Sequence, residues 1–334
     1  MCVFCFGWAF VKVFFLGWKA QYEKLFIAHL AENYEVTHLA QSKLLNRIDR
    51  VARRILGRRV SVFLGRIYGW SAGFSANDLL VCNEGEVHRK LNPYIVESFP
   101  GAKVLLVRDL VTASFLETWA SVFDRIYSFD QNQCEKLGMT YLSQFFPMGR
   151  SHVSAVVGSP NSLKARALFI GREKGRGETL LRLADVLTQC GCDLDFRILV
   201  DEGFPDKTKH HITRLVDYHE SLEASLKASV LVEINQAGQS GFTLRTLEAA
   251  YFGKKLITNN KAVYESVFYD PSNVYVFDES QPWDLEEIKG FLSRQVKPVS
   301  PSIIYEYSPE HMLETLMLLH GGKATCHDGS NRVR

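Results

Sequence analysis

Val230-Leu231-Val232-Glu233-Ile234, then Gln239-Ser240-Gly241-Phe242-Thr243-Leu244-Arg245-Thr246-Leu247-Glu248, then Ala249-Ala250-Tyr251-Phe252-Gly253-Lys254-Lys255-Leu256-Ile257-Thr258: this stretch of the 334-residue chain decides its fold. An apolar run ends at a polar, glycine-bearing turn. A helical segment follows, Gly253 stops it, and a second apolar run begins. Strand, turn, helix, strand is the repeating unit of a parallel sheet with crossover helices. The turn brings backbone N–H groups to a helix N-terminus, where the peptide dipoles favour an anion. Arg245 and Glu248, three residues apart, share one helix face. A guanidinium suits a phosphate, and a carboxylate suits a sugar or ribose hydroxyl.

The same alternation runs outward in both directions. Towards the N-terminus, Phe10 to Gly17 reads as a buried strand, Gln21 to Asn33 as a helix and Tyr34 to Leu39 as a second strand. A basic helical stretch, 43–66, comes next. Strands are expected at 78–83, 102–108 and 125–129, with helices at 112–122 and 130–137. A helix starting at Val87 is interrupted by Pro93. Turn-rich residues between Pro147 and Lys164 mark a hinge. A second alternating series follows, with strands at 166–170, 194–200, 230–234 and 273–277. The chain is thus expected to hold an N-terminal Rossmann-like domain (1–155), a C-terminal one (156–308), a helix at 309–320, and a disordered tail (321–334). Ligands of such sheets bind at the carboxyl ends of strands, so the cleft between the two domains is the expected site.

Composition narrows the classes. Hydrophobic residues make up 46% and charged residues 23%, ordinary for a globular protein. A net charge of +2 excludes a polycation that coats nucleic acid. Seven cysteines, an odd number without paired zinc-ligand spacings, point to free thiols in a reducing cytoplasm. The apolar residues 1–18 are broken by Lys12 and fall short of the roughly twenty a membrane span needs. The extreme segment, 1–9, has no assigned role.

A second glycine-bearing stretch, Gly171-Arg172-Glu173-Lys174-Gly175-Arg176-Gly177, follows a strand and precedes a helix. It is neither G-x-G-x-x-G nor a P-loop. Its three cations can neutralise a diphosphate without a metal. Glu84, Glu86, His88 and Asp109 follow strands of the first half, where a doubly wound sheet presents functional groups. Asp109 is taken first as catalytic base. Asp130 fits as the N-cap of the helix after it. Asp193-Leu194-Asp195 enters a strand and reads as structural. No spacing of histidines or acids supports a metal site.

These motifs together resemble the two-Rossmann (GT-B) glycosyltransferases, in particular the bacterial lipopolysaccharide and capsule type. Many such enzymes carry an E-x7-E pattern. Glu248 matches its second glutamate and Ser240 stands where the first would be. The resemblance implies an α/β fold of two Rossmann-like domains facing a cleft, with the helix at 309–320 crossing back to the first domain. It implies a nucleotide-diphospho-sugar as donor, bound by Gly171, Arg172, Lys174, Ser240, Gly241, Phe242, Thr243 and Arg245, with Glu248 on ribose or sugar hydroxyls. No cofactor and no metal are expected. The acceptor would be a glycan or a lipid-linked sugar, and the basic helix 43–66 is a candidate for peripheral contact with the inner face of a membrane. Nucleic acid is not expected as a partner. The alternatives are a nucleotide-sugar epimerase on the same fold and a non-catalytic nucleotide- or sugar-binding protein.

Overall fold

A computed structural model describes residues 12–149, 165–200, 208–236 and 238–320. The apolar segment 1–9, most of the hinge, the expected domain boundary at 155/156 and the tail from 321 lie outside the described residues. The chain divides into two compact units. The first takes the chain to Ser128, Gln133–Leu142 and everything from Glu310 onward; the second takes Phe129–Asn132 and Ser143–Pro309.

The first unit is built from β1 (Val13–Leu16), α1 (Gln21–Leu30), β2 (Val36–Leu39), α2 (Lys43–Leu56), α3 (Arg58–Ala72), β3 (Leu79–Asn83), α4 (Glu84–Val87), α5 (Asn92–Ser98), β4 (Ala102–Val107), α6 (Ala113–Trp119), β5 (Arg125–Ser128), α7 (Gln131–Leu137) and β6 (Thr140–Tyr141). All pairings are parallel, in the order β2-β1-β3-β4-β5-β6. The central strands read as unbroken apolar runs because helices cover both faces. Val13-Phe14-Phe15-Leu16 and Leu79-Leu80-Val81-Cys82 are buried throughout.

The second unit holds β7 (Arg166–Arg172), α8 (Gly177–Gln189), β8 (Asp193–Leu199), β9 (His211–Ile212), α9 (Tyr218–Lys227), β10 (Val230–Glu233), α10 (Leu244–Phe252), β11 (Lys255–Thr258), β12 (Val274–Val276), α11 (Leu285–Ser293) and α12 (Pro301–Glu306). Its sheet is also all-parallel, in the order β12-β11-β10-β7-β8-β9. Leu180, Leu183, Ala184 and Leu187 bury one stripe of α8 against it. The last helix, α13 (Pro309–His320), packs in the first unit: Tyr34 Oη donates to Glu314 at 2.5 Å, and His29 Nε2 meets the Glu310 carboxylate.

Three sequence readings are corrected. The basic stretch is two helices, because Gly57 adopts a left-handed φ of 72° and breaks it. Pro93 lies in the first turn of α5, where its missing N–H costs no helix hydrogen bond, so it starts a helix and does not interrupt one. Gly171 and Arg172 belong to β7, which runs two residues further than its apolar core because both still pair with β8.

Candidate active site

In each sheet the strand order reverses once, and such a switch point opens a crevice at the carboxyl ends of the two strands involved. In the second unit it lies between β7 and β10, which are hydrogen-bonded neighbours. The segments after these strands are 173–176 and 234–243, so the topology places both of the glycine-bearing stretches at one crevice.

The turn after β7 is tight. Lys174 and Gly175 both have left-handed backbones, at φ 47° and 74°. The buried Glu173 carboxylate accepts from Gly177 N–H at 2.8 Å and anchors the start of α8. Arg176 lies over the Phe169 ring and donates to Arg172 O. Arg172 and Lys174 are exposed, two cations on the rim of the crevice.

The 239–248 element is held more firmly. Ser240 N–H and Gly241 N–H donate to the buried Asp130 carboxylate at 2.6 and 2.8 Å, and Ser240 Oγ adds a third bond at 3.1 Å. Thr243 N–H donates to Glu233, which also accepts from the hydroxyls of Thr243, Thr246 and Thr258. Asn235 and Asn260 side chains donate to the carbonyls of the same turn. Gly241 is required: a Cβ there would stand 2.4 Å from the Phe129 ring. The amides of Ser240, Gly241 and Thr243 are therefore bonded to carboxylates in this structure. Phe242 packs against Phe268 and Tyr307.

Arg245 and Glu248 form an ion pair at 2.5 Å, with Ser225 Oγ bonded to both. Glu248 is only 2% exposed. Burial pushes its carboxyl pKa up, while Arg245 and the Ser225 hydroxyl pull it down. Glu248 thus sits midway along α10, packed against α9.

In the first unit the order reverses between β1 and β3. Trp18, Tyr22 and Glu23 follow β1, Glu84 follows β3, and Arg108 follows β4. Arg108 lies over the Trp18 and Tyr22 rings at 6.0 and 5.4 Å. Asn83 bridges to Glu23 at 3.2 Å. Glu84 has one carboxylate oxygen, Oε2, that is buried with no hydrogen-bond partner among the described residues. Burial drives its pKa up to about 7, against the pull of its bonds to the Arg108 and Glu84 backbone amides and of the Arg108 charge. The neighbouring carboxylate of Glu23 raises it further. A carboxyl group that titrates near neutrality can exchange protons with a substrate hydroxyl.

Asp109, the first choice for that role, is exposed and accepts the N–H of Leu110 at 2.9 Å. Glu86 binds Lys19 and Arg89, and His88 is exposed. A cavity beside this crevice is lined by Gly17, Trp18, His38, Gln41 and Asn92 together with three lysines, Lys19, Lys24 and Lys90. Its cations and amides suit a polar, anionic or hydroxylated ligand.

Sequence reasoning did not single out Glu233, Asn235, Asn260, Tyr22 or Arg108. Glu233 had a signal: it is the one charge in the run Val230 to Ile234, and a buried carboxylate there must find donors. Among the described residues no cluster of three or more metal-ligating side chains occurs.

No protein-family model matches the chain, and no curated protein matches it in sequence. Solved structures match its fold. AviGT4, a glycosyltransferase involved in avilamycin A biosynthesis, superposes with a TM-score of 0.58 at 13% identity, over 92% of this chain and 96% of its own. An alpha-glucosyltransferase in complex with UDP and a mismatched DNA 13-mer gives 0.51 at 15% identity, over 92% and 94%. The fold class is α/β with two Rossmann-like units, the GT-B class expected from the sequence.

Proposed function

We propose that the chain is a glycosyltransferase that moves a sugar from a nucleotide-diphospho-sugar to a glycan or lipid-linked acceptor in cell-surface glycan synthesis. The observation that carries this reading is the crevice of the second unit. Its two flanking segments are those singled out by composition, and two exposed cations, Arg172 and Lys174, stand at its rim. The GT-B fold supports the same reading.

On this reading Arg172 and Lys174 take the diphosphate and stabilise the charge that develops as it leaves. That stabilisation requires no metal ion. Asp130 and Glu233 hold the 239–243 turn rigid, so that its remaining polar groups, with Asn235 and Asn260, present a fixed surface to the nucleoside. Arg245 and Glu248 act through the helix they anchor. In the first unit Glu84 accepts the proton of the acceptor hydroxyl, and the lysine-lined cavity receives the acceptor.

Thermal stability against UDP, GDP, CMP, ADP and dTDP, with and without magnesium, tests the donor half. A shift with one of them, unchanged by magnesium and lost in Arg172→Ala with Lys174→Ala, is the expected result. Equal response to all five, or none to any, removes the reading.

A further inference from the structure

The first unit carries a helix pair that turns two apolar stripes outward. On α2, Leu44, Ile48, Val51 and Ile55 recur at i, i+4, i+7 and i+11, one stripe of a helix, and all four are exposed, Ile55 at 75%. The face α2 turns inward holds Asn46 and Asp49, both buried, and Asp49 accepts the Ser61 hydroxyl at 2.5 Å. On α3, Phe63, Ile67 and Trp70 form a second exposed stripe, with Trp70 at 86%. Its inward stripe is small: Ser61, Gly65 and Gly69. A Cβ at Gly65 would lie 2.6 Å from Tyr94 O, and one at Gly69 2.7 Å from the Phe74 ring. Leu45 of α2 and Leu64, Tyr68 and Ala72 of α3 pack half-buried against the core beside these small residues, while the seven side chains of the two stripes stay outside. A helix facing only water has the opposite arrangement.

Charge completes the pattern. Lys43, Arg47, Arg50, Arg53, Arg54, Arg58, Arg59 and Arg66 stand against one acid, Asp49, which is buried. At about 100° per residue, Arg47 and Arg54 border the stripe of α2, and Arg59 and Arg66 border that of α3. Apolar stripes edged by arginines, with a tryptophan among them, match the boundary between headgroups and acyl chains. Among the described residues no helix is long and apolar enough to cross a membrane, so this face offers contact from one side only.

We propose that the exposed face of α2 and α3 docks on an anionic lipid bilayer, with the apolar stripes at the acyl boundary and the arginines on lipid phosphates. A second copy of this chain fits the face poorly, because pairing two such surfaces opposes cations with no acid to match them. Nucleic acid would use the cations but leave seven large apolar side chains in water. The inference stands whether or not the second unit binds a sugar donor.

Flotation of the full chain with vesicles tests it. Vesicles of phosphatidylcholine alone are compared with vesicles that also contain phosphatidylglycerol. Binding to the anionic vesicles, weakened by salt, is expected. Phe63→Ser and Trp70→Ser each weaken it about tenfold, and Arg47→Ala and Arg54→Ala about fivefold each. All four side chains are exposed, so the variants keep the wild-type melting temperature. No flotation with anionic vesicles, or flotation that these variants leave unchanged, overturns the proposal. So does a dimer that Ile55→Ser disperses, or binding to DNA or RNA that survives Trp70→Ser while vesicle binding is missing.

Discussion

Glu248, buried, and Glu84, half-buried with one buried oxygen, are glutamates with an arginine nearby, one in each unit, and burial raises the pKa of both. Their surroundings differ. Glu248 shares its charge with Arg245 and Ser225 where α10 packs on α9. Glu84 receives backbone N–H groups and the pull of the Arg108 charge, and keeps one oxygen without a partner among the described residues. A satisfied buried carboxylate fixes structure; one left short of partners at a sheet switch point is poised to take a proton. The residue matched by motif thus has the anchoring environment, and the residue weighed only as one of four has the reactive one.

The contrast is sharpened most by Glu84→Gln. If Glu84 is the base, transfer falls by about 10²–10⁴-fold. The wild-type rate rises with pH through about 7 as the carboxyl ionises, and that rise disappears in the variant. A pH–rate profile measures both. Stability has the opposite sign. Between the ordinary 4.5 and about 7 the folded state holds the proton and the unfolded state does not, so stability falls as pH rises through that window. The loss is at most about 3 kcal/mol, and Glu84→Gln should flatten it in urea melts.

Glu248→Ala should act on the fold first. It leaves Arg245, whose side chain is only 13% exposed, without its carboxylate, which costs up to about 3–5 kcal/mol. An unchanged urea midpoint would move Glu248 out of the anchoring role and back towards the ligand. Arg172→Ala should weaken nucleoside diphosphate binding by about 1.5–3 kcal/mol, the worth of a charged hydrogen bond, with no effect on stability. Calorimetric titration reads the first and melting the second. Asp109→Asn, on an exposed loop, should change stability by less than about 0.5 kcal/mol and leave the neutral-pH rate near wild type.

What was legible in the sequence was the alternation. Runs such as Val104 to Val107 can only be strands covered on both faces, and the two glycine-bearing stretches fall after strands in any threading of the chain. Local signals misled where their meaning depends on position. Pro93 breaks a helix interior but starts a helix in the first turn, and nothing nearby says which. Gly57 is one glycine among arginines until its left-handed backbone splits the helix. The site was less legible because its carboxylates act at long range in sequence. Asp130 meets Ser240 across 110 residues, and Tyr22, Glu84 and Arg108 gather from three strand ends. The outward turn of the apolar stripe of α2 is invisible to periodicity, which gives the stripe but not the side it faces.

The most direct test of the account is release of nucleotide from UDP-, GDP-, ADP- and dTDP-linked sugars by the full chain, followed across pH for wild type and Glu84→Gln. The account predicts slow, magnesium-independent hydrolysis of one donor even without acceptor, rising through a pH of about 7 in wild type and flat in the variant. No turnover of any donor, or turnover whose pH dependence is the same in both proteins, would contradict it.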